Sequence, residues 1–168
     1  TSVAFPGEAA GHLSAMPSRR PFERATLAFG YGLSATTLQL ARGYAAIAAD
    51  GRLPMPRLIK DQPAEPPQQA MSAELAATLR EMLVSVPRPG GTATNAAIPG
   101  YAVAGKTGTS RKAVAGGYAA GRYVSTFAGM APADDPRFVA VVTIDEPGGE
   151  DYYAGIVAAP VFQSLVSS

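Results

Sequence analysis

The sequence predicts an α+β fold in which an antiparallel sheet is flanked by helices. Three observations carry this. Apolar residues recur at helical spacing over residues 34–49 and 72–86. Beyond residue 100 the period becomes strand-like, in runs at 101–109, 123–130 and 138–144. Turns or glycine-rich loops join these runs, which makes neighbouring strands antiparallel. The chain thus divides into an irregular and helical part, residues 1–100, and a part of three strands and a C-terminal helix, residues 101–168.

Taken in order, residues 1–33 read as irregular, punctuated by Pro6-Gly7, Pro17-Ser18 and Pro21. Ser34 is the expected N-cap of a helix reaching Ala49, with Leu38, Ala41, Ala45 and Ala48 on one stripe and Gly51 at its C-terminal end. Residues 52–71, with Pro63-Ala64-Glu65-Pro66-Pro67, read as an extended connection. Ser72 starts a second helix with Leu75, Leu79, Met82, Leu83 and Val86 on its apolar face. Glu74 suits its positive end, and Pro87 and Pro89 stop it. Arg111 to Arg122 is expected as a glycine-rich loop, residues 132–136 as a turn, and Phe138 to Ile144 as a fully buried strand. A helix over residues 155–166, with Pro160 near its first turn, closes the chain.

Composition excludes several function classes. The 168 residues carry 14 Lys+Arg against 13 Asp+Glu, a net charge of +1, which does not suit a nucleic-acid binder. With no cysteine there is no disulfide, thiol nucleophile or cysteine zinc site, and His12, the only histidine, cannot build a multi-histidine metal site. No metal or organic cofactor is implied. The apolar runs are too short to span a membrane. Hydrophobic residues at 47% beside charged residues at 16% are an apolar balance for a domain of this size.

Two readings compete for one segment. Gly100 to Thr107 matches the Walker A pattern, and Val141 to Glu146 resembles a Walker B strand. A phosphate loop, however, needs a buried strand before it and a helix directly after it. Residues 94–99 make a poor buried strand, Tyr101 to Ala104 alternate like a strand, and Gly108, Gly116, Gly117 and Gly121 follow where the helix should be. The alternative is Lys106-Thr107-Gly108-Thr109 at a strand end, which resembles the Lys-Thr-Gly box of the penicillin-recognising serine enzymes. Taken alone, the tetrapeptide also reads as a polar turn.

The surroundings favour the box. Pro99-Gly100-Tyr101 leading into Ala104-Gly105-Lys106 resembles class B penicillin-binding proteins. So do Leu38-Gln39-Leu40-Ala41 with Tyr44 to Gly51, Phe5-Pro6-Gly7-Glu8, Phe127 to Pro132, Ile144 to Pro147, and Ala158 to Phe162. The chain is most similar to the C-terminal part of the division-specific peptidoglycan D,D-transpeptidases of Gram-negative bacteria. The resemblance implies a β-lactamase/transpeptidase-like fold. It implies an enzyme that cross-links D-Ala-D-Ala stem peptides through an acyl-serine intermediate and is a target of β-lactams. It further implies a membrane-anchored parent at the periplasmic face of the inner membrane, working in the division machinery. Lys106, Thr107 and Thr109 would bind the donor carboxylate, and the Thr109 amide would point at the oxyanion, where a donor is worth roughly 3 kcal/mol. Gly108 would let substrate approach the backbone. Arg111 and Lys112 would add positive charge, and Tyr123, Tyr152 and Tyr153 would line the acceptor side; as rivals to those roles stand a solvated loop tip and ordinary packing.

One departure limits this. The family needs Ser-x-x-Lys and Ser-x-Asn. No serine here has lysine three positions on, Ser85 with Arg88 being nearest, and Asn95 has no serine two residues before it. The chain is therefore expected to be inactive alone, leaving a non-catalytic binding module as a further reading. Ser110 has no base nearby in sequence, Asp145-Glu146 reads as an exposed strand end, and His12 as structural or exposed. As a fragment the chain is expected to expose apolar surface and self-associate.

Overall fold

The computed structural model describes residues 1, 3, 5–13, 21–63 and 65–168; the Pro17-Ser18 punctuation and Ala64 lie outside them. The described residues among 1–33 are more ordered than their sequence suggests. Strand β1 (His12–Leu13) pairs with β2 (Leu33–Ser34), and helix α1 (Pro21–Leu27) lies between them. Seven residues are too few to show a period, and Pro21 at the first helical position has its φ preset.

Helix α2 (Thr37–Ala48) begins two residues later than expected. Its cap is Thr36: the Gln39 amide donates to Thr36 Oγ1 at 3.1 Å, and the Thr36 amide donates to Gln39 Oε1 at 2.8 Å. This reciprocal box outcompetes Ser34, which pairs in β2. The helix closes with the Gly51 amide donating to Ala46 O at 2.8 Å while Asp50 and Gly51 take φ of 54° and 83°. A Cβ on Gly51 would come within 2.1 Å of Met71 O. The buried residue of α2 is Ala46, off the expected stripe, because Tyr44, Ile47 and Ala48 turn to the sheet while Leu38 stays exposed. Two-residue strands β3 (Arg52–Leu53) and β4 (Gln68–Gln69) pair to tie off the proline-rich connection.

Helix α3 (Ala73–Leu83) starts where expected, with the Leu75 amide donating to Ser72 Oγ at 3.2 Å. Leu83 and Val86 pack inward, but Leu75 and Met82 are exposed and Ala76 is buried instead. Arg80 joins α3 to the end of α2, donating to Ile47 O at 2.6 Å and pairing with Asp50 at 2.9 Å.

The sheet is antiparallel in the order β5 (Ala104–Val114), β6 (Gly117–Ala131), β7 (Phe138–Asp145). The expected loop at 111–122 is mostly strand. The hairpin continues to a turn at Ala115-Gly116, because ladder pairing needs only backbone and tolerates glycine. An irregularity between Arg111 and Ala113 sets residues 119–122 of β6 against Lys112 alone. Strand β7 is not fully buried: it lies at one edge, and Phe138 is exposed. Burial falls on the central β6, where Ser125, Phe127, Ala128, Met130 and Ala131 are all enclosed. A cis Ala131–Pro132 bond opens the β6–β7 turn.

Helices cover both faces of the sheet. Ala104, Met130 and Ala133 pack under Tyr44, Ile47 and Leu83 from α2 and α3. On the other face Phe127 packs with Ala93 and Ala96, around a 3₁₀ turn (Thr94–Ala96), and with the terminal helices α4 (Ala154–Val157) and α5 (Ala159–Ser167). One terminal helix was expected; two short ones form. Pro160 lacks an N–H and its ring clashes with the carbonyl four residues back, so the ladder breaks and restarts with proline in the first turn of α5.

Phe127 and Phe162 are fully buried with ring centroids 5.0 Å apart at 64°. Replacing Phe162 by alanine is expected to lower stability by about 3–5 kcal/mol, read as a fall in the urea midpoint; an unchanged midpoint would contradict this packing.

Candidate functional site

The site is built on the edge of β5. Val103, Ala104 and Gly105 are buried, and the strand emerges into solvent from Lys106 onward. Strand alternation sends Thr107 and Thr109 to the α4 face, and Lys106 and Gly108 to the other. The four residues therefore straddle the strand, with two hydroxyls on one side and an ammonium on the other.

Each hydroxyl is held. Thr107 Oγ1 lies 3.1 Å from Thr92 Oγ1. Thr109 Oγ1 accepts a 3.1 Å hydrogen bond from the Ala154 amide at the start of α4, which leaves its own proton free to donate elsewhere. The amide is itself fixed: Asn95 Nδ2 donates to Gly155 O at 3.1 Å, and a Cβ on Gly155 would stand 2.0 Å from Thr92 O. Lys106 Nζ donates to Thr107 O at 2.8 Å and makes no ion pair with a carboxylate among the described residues. Gly108 has no positive φ, and a Cβ there would meet only Thr126 O, at 3.9 Å. Its bareness keeps the strand surface open and serves no turn.

Arg111 faces Tyr123 across the hairpin, beside an aromatic wall. Tyr123 stacks on Tyr152 at 3.9 Å and 6°, and Tyr152 on Tyr153 at 4.7 Å and 28°. The neighbouring Tyr153 and Tyr123 hydroxyls push the Tyr152 phenol up to about 12, so it stays neutral in neutral solution. Buried Ser125 donates its hydroxyl proton to Tyr152 O, anchoring the wall to β6.

Behind this wall a charge clamp closes the hairpin against β7. Lys112 Nζ reaches Asp145 Oδ2 and Glu146 Oε1, both at 2.6 Å, and Arg122 Nε donates to Glu146 Oε2 at 2.8 Å. The Glu146 amide donates to Tyr123 O at 2.9 Å, with Glu146 at φ 52°. Arg122 first, then Lys112, pulls the Glu146 carboxyl down to about 2.

The structure gathers Thr107, Thr109, Arg111, Tyr123, Tyr152 and Tyr153 along one face of the edge, with Lys106 and Gly108 across it. It removes the phosphate-loop reading, because Lys106 and Thr107 lie inside a strand that runs on to Val114. Thr92, Asn95, Ser125 and the Lys112–Glu146–Arg122 clamp have no sequence signal: each acts on a residue 15 to 60 positions away.

A three-stranded antiparallel sheet with helices on both faces and Lys-Thr-Gly-Thr on its edge strand is an α+β arrangement of the kind that the resemblance to penicillin-recognising enzymes implies. The chain belongs to the family described as the penicillin binding protein transpeptidase domain, which it matches over residues 1–167. It is 47% identical over 163 residues to the probable peptidoglycan D,D-transpeptidase PenA of Neisseria gonorrhoeae, covering 96% of this chain and 28% of that protein. It is 40% identical over 166 residues to the peptidoglycan D,D-transpeptidase FtsI of Escherichia coli K12, covering 99% of this chain and 28% of that protein. The transpeptidase domain of Burkholderia pseudomallei penicillin-binding protein 3 superposes with a TM-score of 0.88 at 46% identity, over 98% of this chain and 50% of that one. The chain thus spans under a third of the length of each of these two curated relatives. Among the described residues no helix is long and apolar enough to cross a membrane.

The clamp predicts a pH dependence. A carboxyl whose folded pKa is depressed contributes stability above its unfolded pKa and loses it as pH falls through the folded one. For Glu146 that window runs from its ordinary 4.5 down to about 2. Thermal melts are expected to show Tm falling across this window, less steeply in Glu146→Gln and less steeply in high salt; identical profiles for wild type and variant would remove the clamp from the account.

Proposed function

We propose that this chain supplies the donor-binding edge of a peptidoglycan D,D-transpeptidase that also binds β-lactams. The observation that carries this is the Thr109 hydroxyl, held as an acceptor by the Ala154 amide so that its proton is free for a ligand, beside Thr107 and the Lys106 ammonium. A C-terminal carboxylate is the complementary ligand: it accepts from both hydroxyls and is attracted by Lys106 and Arg111. The bare Gly108 edge admits the extended peptide by strand addition. The amide of Thr109 then supports the developing oxyanion. Tyr123, Tyr152 and Tyr153 form the apolar side wall of the acceptor region.

In the intact enzyme a serine oxygen attacks the penultimate D-Ala carbonyl, the peptide C–N bond breaks, and D-Ala leaves as the amine carrying the transferred proton. An amine from a second stem then attacks the ester, forming the cross-link and returning the serine. A β-lactam acylates the same serine through its strained amide. The intact protein works at the periplasmic face of the inner membrane, from a membrane anchor, in cell division. Residues 1–168 constitute part of one transpeptidase domain, inert by themselves and prone to self-association through exposed Phe138 and its neighbours.

Two measurements test this reading. Calorimetric titration with a peptide ending in D-Ala-D-Ala is expected to show binding that weakens about tenfold or more in Thr109→Val, the cost of a hydrogen bond to a charged group. Equal affinity for the C-terminally amidated peptide would refute carboxylate recognition. Mass spectrometry after incubation with a fluorescent penicillin is expected to show no covalent adduct on this chain, and an adduct would overturn the absence of a nucleophile.

A further inference from the structure

We infer that an aromatic ladder at the tip of the β5–β6 hairpin, Phe29–Tyr31–Tyr118, binds the glycan from which the donor stem peptide hangs. This rests on the proposed donor-binding role of β5.

The ladder is a built feature. Phe29 and Tyr31 lie 5.8 Å apart at 69°, and Tyr31 and Tyr118 lie 5.8 Å apart at 71°. Tyr31 is thus edge-on to both neighbours, and the outer rings remain 67% and 53% exposed. The turn that presents Tyr31 is hydrogen-bonded: its amide donates to Thr26 O at 3.0 Å, and the Gly30 amide donates to Leu27 O at 3.0 Å. Gly30 and Gly32, on either side of Tyr31, take φ of 90° and 80°, a conformation that other residues rarely adopt. Exposed rings held this way form no part of the core.

The direction of the ligand follows from burial. Val103, Ala104 and Gly105 are enclosed, so a peptide with its carboxylate at Thr107 and Thr109 can leave only toward the hairpin tip. That is also the antiparallel orientation, the more stable pairing. Tyr118 faces Ala113, four residues beyond Thr109. At about 3.4 Å per residue this is roughly 14 Å. A stem of four or five extended residues spans about 13–17 Å. The N-terminal end of the stem, where a peptidoglycan peptide joins its sugar, therefore arrives at the ladder. The negative face of an aromatic ring attracts the polarised C–H groups on the flat face of a sugar.

Peptide-free glycan strands titrated into the protein by calorimetry provide the test. Binding is expected, weakened at least fivefold in Phe29→Ala and in Tyr118→Ala, with circular dichroism confirming that each variant is folded. Absence of glycan binding to wild type, or equal binding by both aromatic variants, would overturn the ladder assignment. The D-Ala-D-Ala peptide in the same assay separates the two readings. Peptide binding without glycan binding defeats the ladder alone; glycan binding that needs the aromatic rings supports the ladder even where the peptide fails to bind.

Discussion

The edge-to-face contact between Phe127 and Phe162 is the constraint on which the rest of this structure depends. Phe127 rises from the central strand, Phe162 descends from α5, and the space they fill is bounded by two glycines. A Cβ on Gly105 would lie 2.5 Å from the Phe127 ring, and one on Gly129 within 2.9 Å of both rings. Interiors packed to crystal density cannot absorb such overlaps. The rings therefore dictate glycine in β5 immediately before Lys106, and they fix the height of the terminal helices above the sheet. That height brings the Ala154 amide to Thr109. The chemistry at the edge is set by a hydrophobic contact that touches no ligand.

Polar positioning then follows in a short chain of causes. Asn95, in the segment after α3, holds the start of α4, and Thr92 in the same segment meets the Thr107 hydroxyl; α4 holds Thr109; Ser125 holds the backbone of Tyr152. Each link is a hydrogen bond between residues 15 to 60 positions apart in the chain. Fixing a hydroxyl rotor before the ligand arrives lowers the ordering cost of binding. The clamp of Lys112, Glu146 and Arg122 plays the same part for the hairpin. It is solvent-exposed, so its strength rests on two cations sharing one carboxylate more than on any single pair.

How far the sequence was legible depends on which forces shaped each element. Local ones could be read: Ser72 capped α3 as expected, the turn at 132–136 formed, and the Lys-Thr-Gly-Thr segment lay on a strand. Thr36 displaced Ser34 as a cap because Gln39, three residues on, returns the hydrogen bond. The hairpin tip was misread as loop because glycine lowers strand propensity without preventing ladder pairing. Burial was the least legible quantity. An apolar run such as 138–144 looks the same at an edge as at the centre, and an alanine-rich helix such as α2 carries little contrast between its faces. At the site, the family resemblance supplied residues that lie on or beside β5, whereas Thr92, Asn95 and Ser125 act through tertiary contacts that no spacing rule encodes.

We propose that the exposed run of β5 receives an extended peptide as an added strand. Amide hydrogen exchange resolved along the chain, with and without a peptide ending in D-Ala-D-Ala, tests it most directly. Slowed exchange is expected at amides within residues 107–113, with little change in β7. Unchanged exchange along β5 under saturating peptide, or protection at the outer edge of β7 instead, would contradict it.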